Sequence, residues 1–144
     1  SMMANKGTWK SGLSAKGSYS ALSCYYLTFI DETFAKDQYA RLKENFYQKL
    51  PIAGFKEYYD RKCRLGFDID AGPIIFNLSP TGTAFGLGAA TYFEDYDVRN
   101  RFLKTAELAG FTVSSKEQRH YLLANIALVG EAITLGMRTA VKWE

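Results

Sequence analysis

The chain repeats itself. A shift of 63 residues lays Ala21 on Ala84, Leu22 on Phe85, Thr28 on Thr91, Phe29 on Tyr92, Ile30 on Phe93 and Asp31 on Glu94. A further shift of 48 lays Ala84 on Ala132, Gly88 on Gly136 and Thr91 on Thr139. Recurrence at this spacing points to stacked helical hairpins in place of one irregular core. The match lies in pattern more than in identity, so it speaks to fold and is silent on chemistry.

Periodicity fills in the hairpins. Ser18–Ile30 is apolar or small on every side, the signature of a helix buried all round. Asp31 is placed to cap the next helix, whose apolar positions Ala35, Tyr39, Leu42 and Phe46 recur at spacings of four, three and four. Lys36, Asp37, Arg41, Lys43 and Glu44 make its opposite face a surface. Ser79-Pro80 marks a second start, with serine as the cap and proline at the first helical position. The helix that follows carries Gly82, Gly86 and Gly88, each costing roughly 0.5–1 kcal/mol relative to alanine, which close backbone packing in a crowded interior explains. Asp95 or Asp97 caps an outer helix bearing Val98, Phe102, Ala106 and Ala109, with Gly110 at its end. Ser114 and Glu117 form a capping box for the last segment. A break is expected near Leu123–Ile126, then a third small-residue inner helix from Leu128 to Val141. The expected fold class is therefore all-α, with a loosely ordered leader over 1–16 and one helical domain over 17–144.

The stretch 51–78 reads as a long connection, a length that is uncommon in a compact domain and often functional. Phe67-Asp68-Ile69-Asp70 alternates and suggests a short extended segment ending at Gly72-Pro73.

Bulk composition narrows the function classes. Hydrophobic residues make up 47% and charged residues 23%, which excludes a disordered chain. A net charge of +3 without a clustered basic face argues against nucleic acid; Lys6, Lys10 and Lys16 read as a basic leader. Cys24 and Cys63 give no disulfide framework and fit a reducing, cytoplasmic compartment, though a targeting segment could lie outside this sequence. Cys24 reads as a small buried hydrophobe, while Arg61, Lys62 and Arg64 around Cys63 would favour its thiolate if exposed. No apolar run approaches the roughly 18 residues that span a bilayer, so no membrane insertion is expected.

The alternation of small-residue inner and amphipathic outer helices resembles the α/α-toroid proteins, the six-hairpin, glycosidase-like architecture. Gly66-Phe67-Asp68-Ile69-Asp70-Ala71-Gly72-Pro73-Ile74-Ile75-Phe76, followed by Ser79-Pro80-Thr81-Gly82-Thr83-Ala84-Phe85, is similar to a motif of a bacterial toroid family of uncharacterised function. The run Tyr26–Tyr39 resembles the hairpin preceding it there, and Gly130-Glu131-Ala132-Ile133 with Arg138-Thr139 resembles the family's closing inner helix. The resemblance implies a partial α/α toroid corresponding to the C-terminal half of the ring, with three inner helices. It also implies either a missing N-terminal half or a homodimer that closes the interior. Loops entering the inner helices would ring one mouth, gathering Ser14–Ser18, Asp68–Ser79 and His120–Leu128.

Asp68 and Asp70 stand two apart, so an extended segment points both to one side, roughly 6–7 Å apart. Such a pair can divide into acid and base when their surroundings separate their pKa values, as in glycoside hydrolysis. The structural alternative is an aspartate bracing its loop through backbone amides. Asp68 and Asp70 are the catalytic candidates. Glu57, Tyr58, His120 and Glu131 are the substrate-binding candidates, with no cofactor and no metal. A lone histidine excludes a multi-histidine zinc site. Glu131 and Arg138, seven apart on one helix face, either bridge or line the cavity. The expected function is an enzyme or enzyme fragment acting on a carbohydrate-like or other small neutral substrate. The alternative is a non-catalytic helical ligand-binding or protein-interaction module.

Overall fold

The structure, a computed structural model, describes residues 15–60, 63–69, 71–110, 112–114, 119–121 and 128–141, with side chains for those outside 110–131. Among these residues are five helices, α1 (Gly17–Leu27), α2 (Glu32–Phe46), α3 (Pro80–Tyr92), α4 (Tyr96–Gly110) and α5 (Leu128–Arg138), with short β-ribbons between α2 and α3 and between α4 and α5. Helices α1, α3 and α5 start at the same two offsets by which the sequence repeats. Near the end of each, a threonine hydroxyl donates about one turn back: Thr28 to the Tyr25 carbonyl, Thr91 to that of Leu87 and Thr139 to that of Leu135.

Helix α3 is the centre. It packs against α1 on one side and α5 on the other, while α2 covers α1 and α4 covers α3. Gly82 lies against Gly17 and Ser18, and Gly88 against Tyr25, so α1 and α3 run parallel and in step. Gly88 also faces Met137 of α5. The core between the layers comprises Ala21, Cys24, Tyr39, Leu42, Phe46, Phe55, Leu87, Ala89, Ala90, Val98 and Phe102. Burial pushes the Cys24 thiol up to about 12, which makes it inert.

Local chemistry accounts for the helix boundaries. The Asp31 carboxylate accepts the Phe34 N–H at 2.9 Å, and the buried face of α2 is Ala35, Tyr39, Leu42 and Phe46. Ser79 accepts the Gly82 N–H at 2.9 Å ahead of Pro80. Asp95 accepts the Val98 N–H at 3.3 Å and also the Lys43 ammonium and the Tyr39 hydroxyl, which ties α2 to the start of α4. Burial works against its charge, but these three donors outweigh it and hold the carboxyl below its ordinary value.

The all-α expectation is wrong. Three two-stranded antiparallel ribbons occur: β1 (Tyr47–Gln48) with β2 (Gly54–Phe55), β3 (Leu65–Asp68) with β4 (Gly72–Ile75), and β5 (Thr112–Ser114) with β6 (Arg119–Tyr121). The fold is mixed, helices carrying small ribbons. The connection over 51–78 is therefore built structure, with Phe55 fully buried against Phe102 at a ring separation of 5.1 Å. Ser114, read as the cap of a helix, instead ends β5 opposite Arg119. Thr112, Val113 and Tyr121 are β-branched or aromatic and fit a pleated pair better than a helix. Glu117, the other half of that box, lies outside the described residues.

Candidate functional site

The most polar interior region is the common N-terminal end of α1 and α3. Two parallel helices present about half a positive charge each at this end, side by side. Lys16 occupies the N-cap position of α1 and supplies no side-chain capping bond. The cap comes instead from Glu57, distant in sequence. Its carbonyl accepts the Gly17 N–H at 2.8 Å, and its carboxylate accepts the Ser18 N–H at 3.3 Å and the Ser18 hydroxyl at 2.9 Å. The Ser79 hydroxyl, at the cap of α3, also favours the charge on this carboxylate.

Glu57 has no exposed surface. Burial raises its affinity for a proton, the serine donors oppose that, and the negative charge of Asp68 adds to it; the net shift is upward. The close approach that makes this joint requires small residues. A Cβ on Gly17 would collide with the Lys56 carbonyl, and one on Gly82 would sit 3.0 Å from the Ser18 nitrogen.

Asp68 lies on the inner side of the β3–β4 ribbon. It accepts the Lys16 ammonium at 2.8 and 3.0 Å, the Tyr58 hydroxyl at 3.0 Å and the Ala71 N–H at 3.3 Å. Backbone pairing of Lys16 with Tyr58 and the Thr81 hydroxyl bond to the Ala71 carbonyl at 3.1 Å complete the seam. The ribbon is thereby bolted to both helix starts.

Of the residues singled out in the sequence, the structure brings Glu57, Tyr58 and Asp68 together. Asp70 lies outside the described residues. His120 stands in β6 opposite Val113 and Glu131 within α5, but their side chains lie outside the described residues, as does any pairing of Glu131 with Arg138. Three residues of the cluster fell within the loops expected to ring the mouth but were not singled out as site residues: Lys16, read as part of a basic leader; Ser18; and Ser79, read as a cap. The available signal was the lysine itself, since a lysine at an N-cap leaves the first-turn amides needing another acceptor.

Among the described residues no group of three or more His, Cys, Asp or Glu side chains is placed to hold a metal ion, and no helix is long and apolar enough to cross a membrane. No family model, no curated protein and no solved structure matches this chain.

Proposed function

We propose that the chain is a non-catalytic helical module that assembles through the two outer flanks of its α1–α3–α5 row. The carrying observation is that, among the described residues, no further helix lies beyond α1 or α5 in the row. Tyr26 on α1 and Ile30 just after it are 53% and 82% exposed, although this segment is apolar on every side. On α5, Ala132, Leu135, Gly136 and Thr139 are exposed, and a Cβ on Gly136 would meet nothing within 4 Å. Inside the row, aromatic side chains of α1 pack on glycines of α3, as Tyr25 does on Gly88. The aromatic flank of α1 and the small-residue flank of α5 are suited to repeat that contact between chains. A two-fold pair joining α1 to the partner's α5 on both sides covers all four flanks. A separate helical half seated on the same flanks satisfies the same surfaces.

The polar cluster supports a structural reading. Each oxygen of Glu57 and Asp68 accepts at least one donor from the protein itself. The cluster fixes loop to helices without leaving an evident open acceptor for a substrate. Free Cys24 and Cys63 fit a cytoplasmic setting for this module.

Light scattering coupled to size exclusion tests the proposal. A particle of twice the 16.2 kDa chain mass, reduced to one chain by Tyr26→Glu with Ile30→Glu, is expected. A single-chain particle at all concentrations, binding no helical partner, overturns it.

A second reading rests on one observation: Glu57, with its raised proton affinity, lies within electrostatic reach of Asp68. A carboxyl of raised proton affinity beside a negatively charged one can serve with it as acid and base on a carbohydrate-like or other small neutral substrate. Here Asp68 and Asp70 act on the substrate, with Glu57, Tyr58, His120 and Glu131 around it. Turnover of a nitrophenyl glycoside panel, abolished by Asp68→Asn at unchanged melting temperature, supports this reading. Absence of turnover across the panel removes it.

A further inference from the structure

The β3–β4 ribbon has its polarity reversed. Antiparallel strands with one face on a core usually turn apolar residues inward and polar residues to water. Here Asp68 and Ile74 face inward, while Leu65, Phe67 and Ile69 stand outward at 81%, 76% and 92% exposure. Direct cross-strand pairing puts Ile75 beside Leu65 and Pro73 beside Phe67 on that same outer face. Five consecutive outer positions are apolar and none is charged.

The chain also spends backbone strain at this edge. Phe76 and Asn77 both adopt left-handed conformations, φ 52° and 70°. Asparagine tolerates this conformation, but phenylalanine does so at a cost. The turn leaves the Phe76 ring about half exposed.

Among the described residues, charge surrounds the apolar face without entering it. Arg64 is exposed next to Leu65, and its carbonyl accepts the Phe76 N–H at 2.7 Å. The Gln48 side chain donates to the Phe76 carbonyl at 2.9 Å, which brings the exposed Lys49 and Leu50 alongside. Arg61 and Lys62 precede Arg64 in sequence. Of the acidic residues here, Asp68 is turned inward onto Lys16 and Asp70 lies outside the described residues, which leaves Asp60 exposed. An apolar face with aromatic side chains and a predominantly cationic rim is complementary to a bilayer surface bearing anionic headgroups. A second copy of the same face would oppose Arg64 and Lys49 with their own kind, which weighs against self-association here.

We propose that the outer face of the β3–β4 ribbon docks on an anionic lipid surface. Leu65, Phe67, Ile69 and Ile75 enter the headgroup–acyl boundary, and Arg64 and Lys49 pair with lipid phosphates. This is peripheral contact by side chains, distinct from a spanning helix, and it is compatible with the expectation of no membrane insertion. It is independent of assembly through α1 and α5, which lies on other elements.

Co-sedimentation of the full chain with large vesicles tests this, using equal parts phosphatidylcholine and phosphatidylglycerol against phosphatidylcholine alone. At physiological salt the chain is expected to sediment with the mixed vesicles and not with pure phosphatidylcholine. Phe67→Ser and Ile69→Ser should each weaken binding roughly tenfold, from the apolar area they withdraw. Arg64→Glu should do the same through charge. All three positions are exposed, so far-ultraviolet circular dichroism should be unchanged. Tyr26→Glu, on the α1 flank, should bind as the parent does. No sedimentation with either vesicle, equal sedimentation with both, or full binding by Phe67→Ser and Ile69→Ser overturns the proposal. So does a vesicle-free dimer that Phe67→Ser dissociates, which would assign the face to a second copy.

Discussion

Replacing Glu57 with alanine should unfasten the end of the molecule where α1 and α3 begin. The carboxylate accepts the Ser18 amide and hydroxyl with no exposed surface of its own. Hydrogen bonds to a charged group contribute about 1.5–3 kcal/mol each, so two give roughly 3–6 kcal/mol before offsets. Relief of the buried charge returns several kcal/mol, and the serine hydroxyls can turn to other acceptors. The Ser18 N–H would be left buried without a side-chain acceptor. A net loss of about 3 kcal/mol follows, a large share of the 5–15 kcal/mol typical of a domain. Urea unfolding followed by circular dichroism reads this directly, and the melting temperature should fall by about 10 °C.

The pH profile supplies a second readout. Because the folded Glu57 pKa is raised above its ordinary 4.5, the folded state holds the proton more tightly. The contribution is fully present below the unfolded pKa and is lost as pH rises through the folded one. Glu57→Gln should abolish that decline. A Glu57→Ala loss below about 1 kcal/mol, in either profile, would refute the capping argument.

Other substitutions separate the remaining claims. Gly86→Ala drives a methyl into the Phe55 ring beside Phe102, so overpacking of about 1–3 kcal/mol should exceed the helix gain and lower stability in urea. Gly136→Ala meets open space and should stabilise an isolated chain by about 0.5–1 kcal/mol while weakening the flank-to-flank dimer in sedimentation. Asp95→Asn breaks the Lys43 bond and weakens the α4 cap, and should cost about 1–2 kcal/mol. The lowered Asp95 pKa has the opposite linkage to Glu57: its stabilisation holds above 3.8 and is lost as pH falls, and Asp95→Asn should flatten that acid limb.

Helix positions were readable because each rests on local rules. The cap at Asp31, the Ser79-Pro80 start and the four buried positions of α2 follow from capping and a period of 3.6, and the 63- and 48-residue offsets also separate the starts of α1, α3 and α5. The ribbons were hidden by their size: two residues of Tyr47-Gln48 against Gly54-Phe55 carry no period. Alternation at Phe67-Asp68 was visible, but its partner strand begins Gly72-Pro73, a sequence that reads as a breaker. At Ser114 a local capping pattern lost to the pairing of Thr112 and Val113 with Tyr121 and His120. Glu57, Tyr58 and Asp68 stood out as charged or aromatic residues in a long loop. Their joining to Lys16, Ser18 and Ser79 depends on two helix starts meeting across the fold, which no local pattern encodes.

Assembly through the flanks is tested most directly by amide hydrogen exchange of the full chain at high and low concentration. The account predicts slower exchange at high concentration within Gly17–Leu27 and Leu128–Arg138, with α2, α4 and the β3–β4 ribbon unchanged. Exchange that is independent of concentration throughout, or protection confined to Leu65–Ile75, would contradict it.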